Sequence, residues 1–188
     1  MSLDLFFVRH GQSEANLCKW FYDDKEAELT LKGKMQAVEA GEYIRDLGVR
    51  FAAVYCSPYR RAKDTCMIAM ESAGLERYEI IYDDRLMERQ FDGLFGKEFA
   101  KEQYIELYNY GSDLSERLGV ETLDYLEARA KDFVDEIRAK YDSGNILVFS
   151  HGILGLAVET VINGRPASGS MYDMQLMKNC EIRIYELR

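Results

Sequence analysis

Five short runs of apolar, β-branched and aromatic residues, at positions 3–8, 51–56, 78–82, 145–149 and 181–187, are separated by stretches with helical periodicity. That alternation narrows the possible folds more than any other feature. Parallel strands need a crossover connection, and a crossover helix covers one sheet face while carrying the chain back to the starting edge. The pattern therefore reads as a layered α/β domain with a largely parallel sheet. Thr30 supplies an N-cap for the first long helix, in which Leu31, Met35, Val38, Gly41, Ile44 and Leu47 share a face expected to meet the core. Ser57-Pro58 reads as the N-cap and first residue of a second helix running towards Ala73. Leu123, Leu126, Ala130, Phe133, Ile137 and Tyr141 line a longer helix, and another is expected over about 153–162. With two prolines, no low-complexity tract and no solenoid-period repeat, residues 1–188 read as one domain.

The charge balance bears on partners. Twenty-four Lys and Arg against 33 Asp and Glu give a formal net charge of −9, which disfavours nucleic acid or an anionic membrane surface. An acidic chain can still hold a phosphate through a local basic pocket, so the placement of its arginines is more informative than their number. The four cysteines (Cys18, Cys56, Cys66 and Cys180) show no CxxC spacing and fit a reduced, cytoplasmic protein. No leader and no bilayer-spanning apolar run is evident, so a cytoplasmic location is the expectation.

In open α/β sheets, ligands bind beyond the carboxyl ends of the strands. The first run is followed by Arg9-His10-Gly11 and the second by Ser57-Pro58-Tyr59-Arg60-Arg61. The third leads to Asp83-Asp84-Arg85-Leu86-Met87-Glu88, and the fourth to Ser150-His151-Gly152. A single histidine after a strand is ordinarily structural or exposed, and Glu88 alone would read as surface charge. Here the chain's two histidines both stand at strand ends before a glycine. Arg60 and Arg61 occupy the first turn of a predicted helix, where the dipole disfavours cations by roughly 0.3–1 kcal/mol; a bound anion would offset that. Two histidines with carboxylates also suit a metal, but no close-set ligand spacing such as HExxH occurs and the neighbouring arginines repel a cation. No GxxxxGK[ST] phosphate loop is present, which argues against ATP-driven chemistry.

These residues also carry a resemblance. Arg9-His10-Gly11-Gln12-Ser13-Glu14-Ala15-Asn16 resembles the RHGxSxxN signature of the histidine phosphatase superfamily, the phosphoglycerate-mutase-like proteins. Leu29-Thr30-Leu31-Lys32-Gly33 with Gln36-Ala37 is similar to its LTxxGxxQA segment, and Ser57 through Thr65 to its SxxxRAxxT, which selects Arg61 over Arg60. Leu86-Met87-Glu88, Phe149-Ser150-His151-Gly152 and Asn179-Cys180 also resemble family segments, so the match runs from about residue 4 to 187. The resemblance implies a three-layer α/β/α sandwich whose mostly parallel sheet holds one antiparallel strand. It implies His10 as covalent nucleophile and Glu88 as proton donor and then base. Arg9, Arg61 and His151 would hold the equatorial oxygens with help from Asn16. Ser13, Arg89 and Gly152 complete the expected substrate-binding set, and neither a metal nor another cofactor is expected.

The implied substrate is a small phosphorylated metabolite. Residues 88–96 resemble the mutase version of the catalytic-acid segment, although Asp92 and Phe95 fit neither version. The lid segment at about 97–120 has only Lys97, Lys101 and Arg117 as cations and lacks the adjacent arginine pair of phosphoglycerate mutases. A mutase must keep water from its phosphohistidine. A short, cation-poor and loose lid therefore favours a phosphatase, with a mutase or a protein phosphohistidine phosphatase as the alternative. An idle phosphate-binding scaffold is disfavoured by the retention of Arg9, His10, Arg61, Glu88 and His151 together.

Overall fold

Strand β1 (Leu3–Arg9) leads through a single helical turn, α1 (Glu14–Leu17), to the long helix α2 (Leu31–Asp46). Then come β2 (Phe51–Cys56), α3 (Arg60–Ala73) and the short β3 (Ile80–Tyr82). Short helices α4 (Lys101–Glu106) and α5 (Leu114–Leu118) precede α6 (Leu123–Lys140), β4 (Gly144–Ser150), α7 (Gly152–Asn163) and β5 (Ile182–Glu186). The computed structural model describes residues 2–17, 25–94 and 100–188. Cys18, Phe95, Gly96 and Lys97, which entered the sequence reading, lie outside the described residues.

The strands form one sheet in the order β3-β2-β4-β1-β5, parallel throughout except where β5 pairs antiparallel with β1. Successive residues of a strand point to opposite faces. Leu3, Leu5 and Phe7 of β1 therefore pack with α6 and α7, while Phe6 and Val8 pack with α2 and α3. The two strands at the centre are covered on both sides, which is why they read as continuous apolar runs rather than as alternation. The expected three-layer sandwich with one antiparallel strand is the observed architecture. Among the described residues, no helix is long and apolar enough to cross a membrane.

Three local expectations need correction. On α2 the buried residues are Gly33, Ala37, Ala40, Gly41 and Ile44, whereas Leu31, Met35 and Val38 are 78%, 58% and 41% exposed. Helices α2 and α3 approach so closely that a Cβ added at Gly41 would lie 2.2 Å from the Ala69 carbonyl oxygen. Contact of that kind selects the smallest side chains, so the core stripe is Gly/Ala and the larger apolar residues remain outside. Helix α3 begins at Arg60 rather than at Pro58, with extended Tyr59 as its uncapped N-cap. Ser57 does not cap it because its hydroxyl is engaged across the sheet. Finally, the described part of the 97–120 segment is anchored, with Leu107, Tyr108, Leu114 and Val120 all in the core beneath α6 and α7.

The close packing of α2 can be checked by denaturation. Gly41→Ala is expected to lower the unfolding free energy by about 1–3 kcal/mol, through overpacking against backbone that cannot yield. Met35→Gln should change it by less than about 0.5 kcal/mol. Urea titrations of both variants measure the contrast, and a neutral Gly41→Ala would mean that the two helices are not in backbone contact.

Candidate active site

The register of the central strands creates the site. In the β1–β4 pair Arg9 lies opposite Ser150, so the residues that follow, His10 and His151, leave the sheet side by side. The His10 N–H donates to the Ser150 carbonyl at 2.9 Å, and the Ser57 N–H to the Phe149 carbonyl at 2.9 Å. Three neighbouring strand ends thus deliver two imidazoles and a hydroxyl to one rim. Below them the backbone is clasped: a Cβ at Gly11 would lie 2.4 Å from the Gly33 carbonyl oxygen, and one at Gly33 would lie 2.0 Å from that of Gln12. Only glycine permits this approach. It is reinforced by the Gln12 N–H to Gln36 Oε1 at 2.9 Å and the Gly11 N–H to Thr65 Oγ1 at 3.0 Å.

Both histidines are buried and their rings lie 5.2 Å apart. His10 Nδ1 is 2.7 Å from the carbonyl of Gly11. A carbonyl only accepts, so Nδ1 carries the proton and Nε2 presents a lone pair. The Arg61 Nε–H donates to that Nε2 at 3.2 Å. Burial, followed by the charges of Arg61 and Arg9, pushes His10 well below the ordinary imidazole range, although the Gly11 hydrogen bond opposes this. His10 is therefore a neutral, oriented base. His151 is likewise held well below its ordinary value, by burial first and then by Arg61, His10, Arg9 and Arg129. Ser57 Oγ lies 2.7 Å from His151 Nε2 and accepts the Tyr59 N–H at 3.3 Å. Among the described residues the serine proton has no other recorded acceptor, so it goes to Nε2 and His151 carries its own proton on Nδ1. That Nδ1 and the Nε of Arg9 are buried donors with no hydrogen-bond partner among the described residues. Unpaired buried donors are expensive, and an anion beside them would satisfy both.

Arg9 and Arg61 converge here from different elements. Arg61 is buried at the second position of α3 and stacks over the Tyr59 ring at 4.9 Å. Its neighbour Arg60 turns outward to Glu28 at 2.8 Å and Asp64 at 3.8 Å. The guanidinium of Arg9 donates to the Met177 carbonyl and lies over the first turn of α7. A Cβ at Gly152 would come within 3.1 Å of Arg9 Nε, so this glycine makes room for the arginine. Glu88 caps α7: its Oε1 accepts from Arg89 N at 2.9 Å and Leu154 N at 3.0 Å, and its Oε2 from Ile153 N at 3.2 Å. A carboxylate at a helix N-terminus is favoured by the orphan N–H groups and the dipole.

The other expected residues fall on either side of this line. Asn16 reaches the rim, and its Oδ1 accepts from Ser13 N, Ser13 Oγ and Asn179 Nδ2 at 3.1, 3.3 and 3.1 Å. Its amide N–H is thus the group left to a ligand. Buried Ser13 orients Asn16 rather than facing the cleft. Arg89 does not join the site. It is fully buried, with Nε on the Glu121 carbonyl (2.8 Å), Nη1 on that of Leu107 (2.7 Å) and Nη2 on Ser115 Oγ (2.9 Å). Its guanidinium ties the 97–120 segment to the body of the protein. Sequence reasoning assigned no role in the site to Ser57 or Asn179. Ser57 follows a strand as the histidines do, which was the available signal. The Asn179 side chain donates to the His10 carbonyl at 3.0 Å, a contact that spans almost the whole chain; the family resemblance of Asn179-Cys180 was the available signal.

Two outcomes follow from this geometry. Arg61→Ala should lower kcat/KM on a phosphomonoester by about 10²–10³-fold, and Arg60→Ala by less than about threefold, since it removes only exposed pairs; comparable losses would contradict the inward placement of Arg61. The second concerns pH. In the unfolded chain both histidines take up protons below about pH 6.5, whereas the folded protein resists until lower pH. Stability should therefore fall as pH drops from about 6.5 towards 5, by up to about 1.4 kcal/mol per pH unit for each histidine. His10→Gln and His151→Gln should each flatten that slope in urea titrations across the window. Unchanged slopes would mean that the imidazoles are not held neutral.

Comparisons with known proteins place this site in a family. The family model of the histidine phosphatase superfamily (branch 1) matches residues 5–188. A 2,3-bisphosphoglycerate-dependent phosphoglycerate mutase from Methylorubrum populi is 30% identical over 167 residues, covering 85% of this chain and 79% of that protein. A mycobacterial glucosyl-3-phosphoglycerate phosphatase superposes with a TM-score of 0.79 at 22% identity, over 97% of this chain and 90% of that one. A phosphoglycerate mutase from Bacillus anthracis does so with a TM-score of 0.76 at 19% identity, over 98% and 88%. At those identities the two structures establish a shared fold and nothing finer. With the family model spanning nearly the whole chain, this protein belongs to the histidine phosphatase superfamily.

Proposed function

We propose that this protein is a metal-independent phosphatase that hydrolyses a small phosphomonoester through a phosphohistidine on His10. The observation that carries this reading is the His10 ring, neutral and buried, with its Nδ1–H on the Gly11 carbonyl and its Nε2 lone pair beside Arg61. In the first step Nε2 attacks phosphorus while the P–O bond to the alcohol breaks. Arg9, Arg61 and the His151 Nδ1–H take the equatorial oxygens, and Glu88, a carboxylate before substrate binds, takes up the proton that a monoanionic ester brings and gives it to the departing alkoxide. In the second step the Glu88 carboxylate takes a proton from water, whose oxygen attacks phosphorus as the N–P bond breaks. Glu88 then passes that proton to the departing phosphate and is again the carboxylate that caps α7, so the protons balance. The positive charge comes from arginine, and no step needs a metal.

The choice of hydrolysis over transfer rests on the leaving-group side. Among the described residues of the 97–120 segment, the cations are exposed Lys101 and Arg117, and Arg117 pairs with Asp113 at 3.2 Å. Tyr104, Tyr108 and Tyr172 form an aromatic cluster with ring centroids 5.2–6.2 Å apart. Buried Tyr108 has the Arg89 guanidinium over its ring, 5.6 Å from the centroid. A wall of this kind suits an ester whose alcohol part is uncharged better than it suits a glycerate. A mutase is the second reading, favoured by the Methylorubrum populi relative.

Rapid quenching separates the two. For a phosphatase, the trapped phosphoenzyme should be labile to acid and stable to alkali, absent in His10→Ala, and discharged by water within one turnover without an acceptor. Activity should survive dialysis against EDTA, and vanadate should inhibit as a mimic of the pentacovalent phosphoryl group. A phosphoenzyme that persists for minutes in buffer and transfers to a phosphoglycerate would establish the mutase instead.

A further inference from the structure

The segment that carries Glu88 has no regular structure to hold it. It follows a single 3-10 turn at Asp84–Leu86, and residues 87–91 belong to neither a helix nor a strand. Five of its carbonyls are nevertheless held by donors from elsewhere in the chain. Ser150 Oγ donates to the carbonyl of Leu86 at 2.7 Å, and the Glu121 N–H to that of Gln90 at 3.0 Å. Arg129, on α6, takes three more. Its Nη1 donates to the carbonyls of Arg85 and Met87, each at 2.7 Å, and its Nη2 to that of Glu88 at 3.1 Å. The same guanidinium grips Glu121 side-on through one edge, Nε to Oε1 at 2.7 Å and Nη2 to Oε2 at 3.0 Å. Those five acceptors match the five N–H groups of an arginine. Glu121 Oε2 also accepts the Gln90 N–H at 3.0 Å, and the side chains of the pair are only 12% and 6% exposed.

We propose that the Arg129–Glu121 pair is the positioning device for Glu88, setting where its carboxylate stands relative to the leaving group. Neither side chain touches the reacting atoms. The carboxylate is fixed from one side by the N-terminus of α7 and from the other by a backbone that Arg129 holds to α6. A displacement of about 1 Å in a proton donor can cost on the order of 10²-fold in rate. Lysine cannot substitute fully, because one ammonium has three donors and no planar fork to span a carboxylate and three carbonyls. Glu121→Gln would turn an amide N–H towards donors that now share a carboxylate.

The inference rests on Glu88 acting as proton donor, and its test separates the two ideas. For p-nitrophenyl phosphate, whose leaving group needs little protonation, and 2-glycerophosphate, whose alkoxide needs a full proton, kcat/KM is measured on the wild type, Glu88→Gln, Arg129→Met, Arg129→Lys and Glu121→Gln. The readout is the ratio between the two esters, which does not depend on how much of a variant is folded. Arg129→Met should lower activity on 2-glycerophosphate about tenfold or more beyond its effect on p-nitrophenyl phosphate, as Glu88→Gln does. Arg129→Lys should recover part of that ratio, and Glu121→Gln should shift it in the same direction. If Glu88→Gln alters the ratio while the Arg129 and Glu121 variants lose both activities equally, or lose neither, the pair is merely structural and the proposal falls. If Glu88→Gln leaves the ratio unchanged, the proton-donor reading itself fails and takes the proposal with it.

Discussion

Two imidazoles and two guanidiniums share one buried rim, and that crowding governs much of the rest of the structure. Positive charge that is already desolvated disfavours any more of it, so both histidines are held neutral by burial and by Arg61 and Arg9. Neutrality leaves each ring with one N–H and one lone pair, and the surrounding hydrogen bonds decide which nitrogen has which. The Gly11 carbonyl turns the lone pair of His10 to Nε2, and the Ser57 hydroxyl turns the proton of His151 to Nδ1. A lone pair and an N–H donor therefore stand beside one another, in a positive field that favours an anion.

Holding such a cluster together requires a frame that does not yield. Much of it is backbone. Gly11 and Gly33 pack carbonyl against Cα, and the Cys180 N–H reaches the Arg9 and His10 carbonyls from a residue at φ 57°. These contacts join the first strand to α2 and to the segment before β5, so the site is set by the closure of the whole sandwich rather than by one loop. Arg9 itself leans on the absence of a side chain at Gly152.

A second frame surrounds the acid. Arg89 and Arg129 resemble catalytic arginines by type and position, yet each has its guanidinium on backbone carbonyls. Arg89 fastens residues 107, 115 and 121 to the segment around Glu88, and Arg129 fastens that segment to α6, with Glu121 bound by both. In an acidic chain this division of labour keeps two cations away from the histidine rim and uses them to order irregular backbone, which would otherwise bury unpaired carbonyls.

Much of this was legible in the sequence. The alternation of apolar runs with helical periods determined the layered fold, because strand and helix periodicity are local properties of the chain. The position of His10, Arg61, Glu88 and His151 after strands, together with the family motifs, marked the residues that the structure brings to one rim. Other features were decided only in three dimensions. The core face of α2 went to Gly33, Ala37 and Ala40 beside the expected Gly41 and Ile44, and left Leu31 and Met35 outside, since the spacing between two helices is a property of the pair. Arg89 turned inward because its acceptors, the carbonyls of Leu107 and Glu121, lie 18 and 32 residues away. The proton of His151 was placed by Ser57, 94 residues distant. A sequence read along its length shows which groups a segment offers; which of them meet, and in what orientation, depends on contacts between segments that folding alone brings together.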